Sequence, residues 1–152
     1  MSEVLFRDAR ARDLASIVAM LADDDLGRNR EDTRALETYS LAFGQIEGDV
    51  HNRVLVGEKH GVVIACLQLT FVRGLTRKGA LRALVEGVRV VASERASGVG
   101  EALMRHAVAI ARDGGCKLVQ LTSDKRRDRA HGFYRRLGFV DSHEGFKLEL
   151  AP

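Results

Sequence analysis

Arg95-Ala96-Ser97-Gly98-Val99-Gly100-Glu101-Ala102-Leu103-Met104, written RASGVGEALM, sets an arginine and two spaced glycines ahead of a helix-forming run, directly after the strand-like ALVEGVRVV of 83–91. The local order is strand, flexible turn, helix. The first turn of a helix leaves backbone N–H groups without partners, and the aligned peptide dipoles add partial positive charge, so a diphosphate would find donors there. A side chain at Gly98 or Gly100 would stand between such a ligand and those amides, and Arg95 adds a charge-assisted contact. A glycine-rich turn that holds nothing fits the same residues. No Gly-Lys-Ser/Thr follows and the Gly-x-Gly-x-x-Gly spacing is missing, which speaks against nucleoside triphosphate hydrolysis and a dinucleotide fold.

Outward from this stretch the chain alternates strands and helices. Residues 3–8 predict a first strand, and Leu14, Ile17, Val18 and Leu21 recur at helical spacing. After Asp23-Asp24-Asp25, a second helical stretch runs from Glu31 to about Ile46. Runs 52–59 and 62–72, separated by His60-Gly61, read as an antiparallel hairpin. The quoted stretch opens a helix over about 98–113, with Val99, Leu103, Ala107 and Ile110 on one face and Gly114-Gly115 as its stop. KLVQLTS (117–123) predicts a strand, and Ala130, Phe133, Tyr134 and Leu137 predict a helix ended by Gly138. A last strand is expected over 139–150. The expected order is β-α-α-β-β-β-α-β-α-β, an α/β (α+β) chain, with residues 1–152 forming a single domain and no internal repeat.

Composition narrows the partners. Hydrophobic residues at 45% and charged residues at 30% indicate a chain that folds throughout. No apolar run reaches membrane-spanning length, and the N-terminal MSEVLFRDAR carries charge where a signal peptide would be apolar, so the expectation is a cytoplasmic protein with no membrane partner. Cys66 and Cys116 lack a CxxC partner and read as buried small hydrophobes. The histidines are scattered, with none at i, i+4, so no metal is expected. Basic residues cluster at Arg73 to Lys78 and at Lys125 to Arg129 although the formal net charge is only +3. Such clusters favour phosphate-bearing ligands or are simply solvated faces.

A second motif follows about thirty residues after the first: Arg129-Ala130-His131-Gly132-Phe133-Tyr134-Arg135-Arg136-Leu137-Gly138-Phe139. An alanine, an aromatic-Tyr pair and Leu-Gly-Phe, preceded by Arg-x-x-Gly-x-Gly after a strand, resemble the GNAT family of N-acetyltransferases. Phe6-Arg7-Asp8-Ala9 and Asp13-Leu14 are similar to the family's opening strand and helix start. The resemblance implies a mixed, mostly antiparallel sheet flanked by helices, splayed between its fourth and fifth strands, with acetyl-CoA in the cleft. It implies direct transfer of an acetyl group to a primary amine of a small molecule or protein, and a homodimer, although no heptad or apolar stripe marks an interface.

The resemblance also assigns residues. Tyr134 matches the tyrosine that protonates the departing thiolate; a packed core tyrosine is the plainer alternative. Glu86 stands where relatives often place a general base, and strand alternation would put it on one face with Val88 and Val90; the plainer alternative is an ion pair with Arg82 or Arg89. Backbone groups of Val88 and Val90 are expected to hold the pantetheine arm, with the Val90 amide facing the thioester oxygen. Arg95, Ala96, Ser97, Gly98, Val99, Gly100 and Glu101 are expected to hold the diphosphate, and Ala130, Phe133 and Tyr134 to line the donor site. Arg127 stands where many relatives carry asparagine, and we expect it, or a neighbour in 125–129, to reach the nucleotide phosphates instead.

Two other readings remain. A non-catalytic acyl-CoA sensor on the same fold is opposed by the presence of both Tyr134 and Glu86. A nucleic-acid binder is opposed by an aromatic content of 5% and the lack of a recognition motif, so no nucleic-acid partner is expected. Asp23-Asp24-Asp25 either attracts a cationic amine or is a solvated loop.

Overall fold

The computed structural model describes residues 3–151. In chain order its elements are β1 (Leu5–Asp8), α1 (Leu14–Ala22), α2 (Leu36–Glu47), β2 (Asn52–Lys59), β3 (Val62–Arg73), the short turn α3 (Thr76–Gly79), β4 (Leu81–Val90), α4 (Val99–Asp113), β5 (Leu118–Gln120) and α5 (Asp128–Arg136). They fall into two compact units, one running through Gln120 and one starting at Leu121.

The first unit holds a five-stranded sheet in the order β1-β2-β3-β4-β5. The first three pairings are antiparallel and the β4–β5 pairing is parallel. His60 (φ 52°) and Gly61 (φ 76°) are both left-handed, the conformation a tight hairpin turn needs to match strand twist, and they join β2 to β3. Alternation along β2 and β3 then divides the side chains between two faces. Val56, Val63 and Cys66 pack with Ile17, Met20 and Phe43 of α1 and α2. The opposite face presents Leu55, Leu67, Leu69 and Val85, all at most 1% exposed, and α4 covers it with Val99, Leu103, Met104, Ala107 and Ala111. The result is a helix-sheet-helix sandwich, and the hydrophobic periodicity that predicted α4 selects its buried face. Only Ile110 of the predicted stripe is half-buried instead of buried.

The second unit contains α5, whose end is set by Gly138 at φ 99°. Here the expected order needs correction. Residues 139–150 form no strand. Phe146, Leu148 and Leu150 alternate as a strand should, but alternation only sorts side chains by face; a strand also needs a neighbour to take its backbone hydrogen bonds. Ahead of them, Asp141 to Gly145 is polar, with Asp141 held by Arg135 at 2.8 Å and Ser142 bonded to its neighbour His143 at 2.7 Å.

Candidate active site

The site starts from a ladder that stops early. β4 pairs with β5 at Arg82, Ala83 and Leu84 only, while its pairing with β3 continues to Val90. From Glu86 to Val90 one edge of β4 therefore faces no strand of the sheet. Val91 donates its N–H to the Ile64 carbonyl at 2.9 Å, so the preceding residue, Val90, turns its own N–H and C=O to the open edge. The carbonyl is met there by Arg95 Nε at 3.1 Å. Val88 likewise offers a carbonyl, taken by Arg89 Nη1 at 2.9 Å.

A bulge changes which side chains share a face. Cys66 pairs with Arg89 and Gln68 with Glu86, so Gly87 and Val88 together oppose the single Leu67. Gly87 adopts φ 62°, which favours glycine. Because cross-strand partners lie on one face, Val90 joins Val85 on the α4 side, and Glu86 joins Arg89 on the side of α1 and α2. The sequence expectation that Glu86, Val88 and Val90 share a face is thereby corrected: one inserted residue shifts the alternation. Glu86 is exposed. The arginines considered as its partners are engaged elsewhere, Arg82 with Gln120 at 3.3 Å and Arg89 with Asp24 at 3.4 Å.

After β4 a single tight turn, Ala92–Glu94, leads into the glycine loop. Ala96 (φ 64°) and Gly98 (φ 91°) are left-handed, and the Ser97 hydroxyl caps back onto the Glu94 carbonyl. A Cβ on Gly98 would meet nothing within 4 Å, so its glycine is required by backbone conformation, with open space above it. Ala102 makes the first bond of α4, to the Gly98 carbonyl at 3.0 Å. The amides of Val99, Gly100 and Glu101 therefore precede the helical ladder, as an anion site needs. Glu101 turns its carboxylate to Arg105 at 3.0 Å.

Sequence reasoning missed how the acidic segment is used. Asp23 lies 3.5 Å from Arg95, Asp24 pairs with Arg89 and accepts the Gly27 N–H, and Asp25 lies 3.5 Å from Arg28. The segment is neither a free cation patch nor merely solvated: it ties the end of α1 to the open stretch of β4. Beside it lies a groove of about 560 Å³ lined by Ser16, Met20, Asp23, Arg28, Thr33 and Val91, among others.

In the second unit, Ala130, Phe133 and Tyr134 are half-buried along one side of α5 while Arg129, Arg135 and Arg136 are exposed. The Tyr134 ring packs edge-on to Phe133 and Phe139, with centroids 5.2 and 5.8 Å away. Arg127 caps the start of α5, donating its N–H to the Asp124 carbonyl at 3.0 Å and accepting from the His131 N–H at 3.1 Å. Two bonds from the Arg126 side chain, at 2.9 and 3.0 Å, hold the Asp124 carboxyl well below the usual carboxylate range.

Of the two cysteines read as buried from the sequence, Cys66 is buried and Cys116 only half-buried. Burial pushes the Cys66 thiol up to about 12, and Cys116 is also raised by burial. Among the described residues no group of three His, Cys, Asp or Glu side chains is placed to hold a metal, and no helix is long and apolar enough to cross a membrane.

An open-edged β4 thus leads into a glycine loop and the start of α4, and comparison with known proteins shows which family shares this arrangement. Residues 15–139 match the model of the Acetyltransferase (GNAT) family. The chain is 28% identical to aminoalkylphosphonate N-acetyltransferase of Salmonella typhimurium over 144 residues, covering 95% of this chain and 90% of that protein. A crystal structure of a transcriptional regulator from Bacillus halodurans is 41% identical, with a TM-score of 0.93 over 97% of this chain and 100% of that one. A predicted acetyltransferase from Clostridium acetobutylicum, solved with acetyl-CoA, shares the fold at 16% identity, with a TM-score of 0.77 over 97% of each chain. This chain belongs to the GNAT acetyltransferase family. It is an N-acetyltransferase that takes its acetyl group from acetyl-CoA.

Proposed function

We propose that the protein acetylates a small primary amine, with Glu86 as general base and Tyr134 as general acid. The observation that carries this reading is the early end of the β4–β5 ladder, which leaves Val90 with an outward amide beside the glycine loop. The pantetheine arm pairs with Val88 and Val90, and the diphosphate sits on the amides from Ser97 to Glu101, aided by Arg95 and Arg127. Residues 1–152 then act as one catalytic domain, a view supported by a family match that runs across both compact units.

Glu86, through water, takes a proton from the ammonium, whose nitrogen then attacks the thioester carbonyl carbon. The carbonyl oxygen gains charge and is met by the Val90 amide. As the carbon–sulfur bond breaks, the sulfur keeps the electron pair and receives the Tyr134 hydroxyl proton, the nitrogen gives up its remaining extra proton to restore the Tyr134 phenol, and Glu86 passes its own proton to solvent. An acetamide and free CoA result.

The groove beside Val91 lies on the same side of the sheet as Glu86 and offers one charge of each sign, Asp23 and Arg28. That suits an amine that also bears an anionic group. The name of the Salmonella relative makes aminoalkylphosphonates the first compounds to try. The test is a panel of amines assayed for CoA release, with Tyr134→Phe as control. We expect the variant to lose about 10²- to 10⁴-fold in kcat while keeping its affinity for acetyl-CoA. Full turnover in Tyr134→Phe at every pH would remove the tyrosine from its role.

A further inference from the structure

We propose that Gln68 is a substrate-binding residue: its side-chain oxygen holds one N–H of the substrate ammonium beside Glu86, and Asn52 and Thr70 fix that oxygen in place. The part played by Glu86 rests on the function proposed above. The part played by Gln68 rests on hydrogen bonds within the first unit.

On β3, the middle strand of the sheet, Cys66 is followed on the same face by Gln68 and Thr70, both half-buried. Polar groups in such a place cost stability unless they are bonded. Gln68 Nε2 donates to Asn52 Oδ1 at 2.9 Å, and Thr70 Oγ1 donates to the same oxygen at 3.0 Å. Cross-strand register puts Asn52 opposite Thr70 and sets Val54, Gln68 and Glu86 in one row, on the face that α1 and α2 cover further along at Val56 and Cys66. Gln68 and Glu86 are thus direct neighbours across two strands, at a Cβ spacing of about 4.5–5.5 Å.

A side-chain amide carries its donors on nitrogen and its acceptor sites on oxygen. Asn52 Oδ1 takes two donors and engages the Gln68 nitrogen, which leaves Gln68 its oxygen to offer. Among the described residues no donor of the chain reaches Gln68 Oε1 or the Glu86 carboxylate, and neither is sealed from solvent. Two acceptors stand side by side with no donor between them. Such a pair is satisfied by a group that brings several N–H donors on one atom, and a primary ammonium does so while adding the charge that complements a carboxylate. A hydroxyl, with one donor, cannot bond both. When Glu86 has taken one proton through its water, the bond to Gln68 remains and fixes the direction of the nitrogen lone pair. Gln68 sets orientation, and Glu86 moves the proton.

The experiment titrates ethylammonium into the full chain saturated with CoA and follows the side-chain carbonyl carbons of Gln68 and Glu86 by NMR. Both signals should move together, and tetramethylammonium, which has the charge but no N–H, should leave Gln68 in place. A Gln68 signal that stays still while Glu86 moves would overturn the proposal, as would one that answers both cations equally or the absence of any shift with ethylammonium. These readings need no variant. Gln68→Met keeps the length and removes the oxygen, so it should weaken ethylammonium binding about 10-fold, whereas Gln68→Glu, which keeps an oxygen there, should bind at least as tightly. With the best amine of the panel, Gln68→Met should raise KM for the amine about 10-fold and leave KM for acetyl-CoA unchanged. Asn52→Ala should raise it by less, and Asn52→Asp, which returns an accepting oxygen, should restore it. Equal amine KM in Gln68→Met and wild type would remove Gln68 from the site. If Glu86→Gln keeps wild-type turnover, the assignment of the base fails, and the Gln68 titration still decides this contact.

Discussion

Arg95 shows how one side chain can serve two bonding states. Its Nε holds the Val90 carbonyl at 3.1 Å and its Nη2 lies 3.5 Å from an Asp23 carboxylate oxygen, on a side chain about half exposed. An exposed pair of this kind contributes only about 0.2–1 kcal/mol, so a diphosphate offering charge-assisted bonds can draw the guanidinium away from Asp23 at little cost. Arg95→Ala should weaken acetyl-CoA binding about 10-fold or more in calorimetry, the loss of one hydrogen bond to a charged group. Arg127→Ala should weaken it less, and the effect should shrink as salt rises, because an exposed charge is screened. Unchanged affinity in Arg127→Ala would leave the 125–129 cluster without a role in donor binding.

At the scale of elements, β4 does the positioning, and its bulge is where sequence reading and structure part. Periodicity predicted α4 and its stripe because an amphipathic helix states its buried face in its own spacing. The His60-Gly61 hairpin was equally legible, since left-handed residues are required there. The register of β4 was not: Gly87 reads as one more strand residue until its pairing with β3 shows two residues opposing one. The side assigned to Val90 was therefore wrong, whereas the motif residues of the loop fell where their spacing put them. The strand expected over 139–150 failed for a related reason, because no local pattern reveals whether a ladder partner is in reach. Gly87→Ala tests the bulge. The added methyl would meet Leu21 at an ordinary 3.6 Å, so the cost is the left-handed backbone, about 1–2 kcal/mol. Chemical denaturation should show that loss, and kcat should fall as Glu86 is displaced. Stability unchanged by the alanine would mean that the bulge does not constrain the strand.

For the molecule as a whole, a buried carboxylate ties stability to pH. Asp13 is 5% exposed, accepts two bonds from Arg7 at 2.7 and 3.1 Å and a third from the Arg10 amide at 2.7 Å, and Arg7 also reaches Glu58 at 2.9 Å. This cluster joins β1, the start of α1 and β2. The Arg7 bonds hold the Asp13 carboxyl below its ordinary value, more than offsetting the opposing effect of burial. A carboxyl lowered in the folded state contributes stability that is fully present above its unfolded value, near 4, and is lost as pH falls through that value toward the folded one. Asp13→Asn keeps the shape and removes the charge. At pH 7 it should cost about 2–3 kcal/mol, the worth of a charged hydrogen-bond set, or roughly 5–10 °C in Tm for a chain of this size. Near pH 3 the unfolded carboxyl is already largely protonated, so the wild type has lost part of this advantage and the two melting curves should draw together. Thermal melts at both pH values check this: a gap that stays constant would show that Asp13 acts through packing alone and that the acid limit of the fold lies elsewhere.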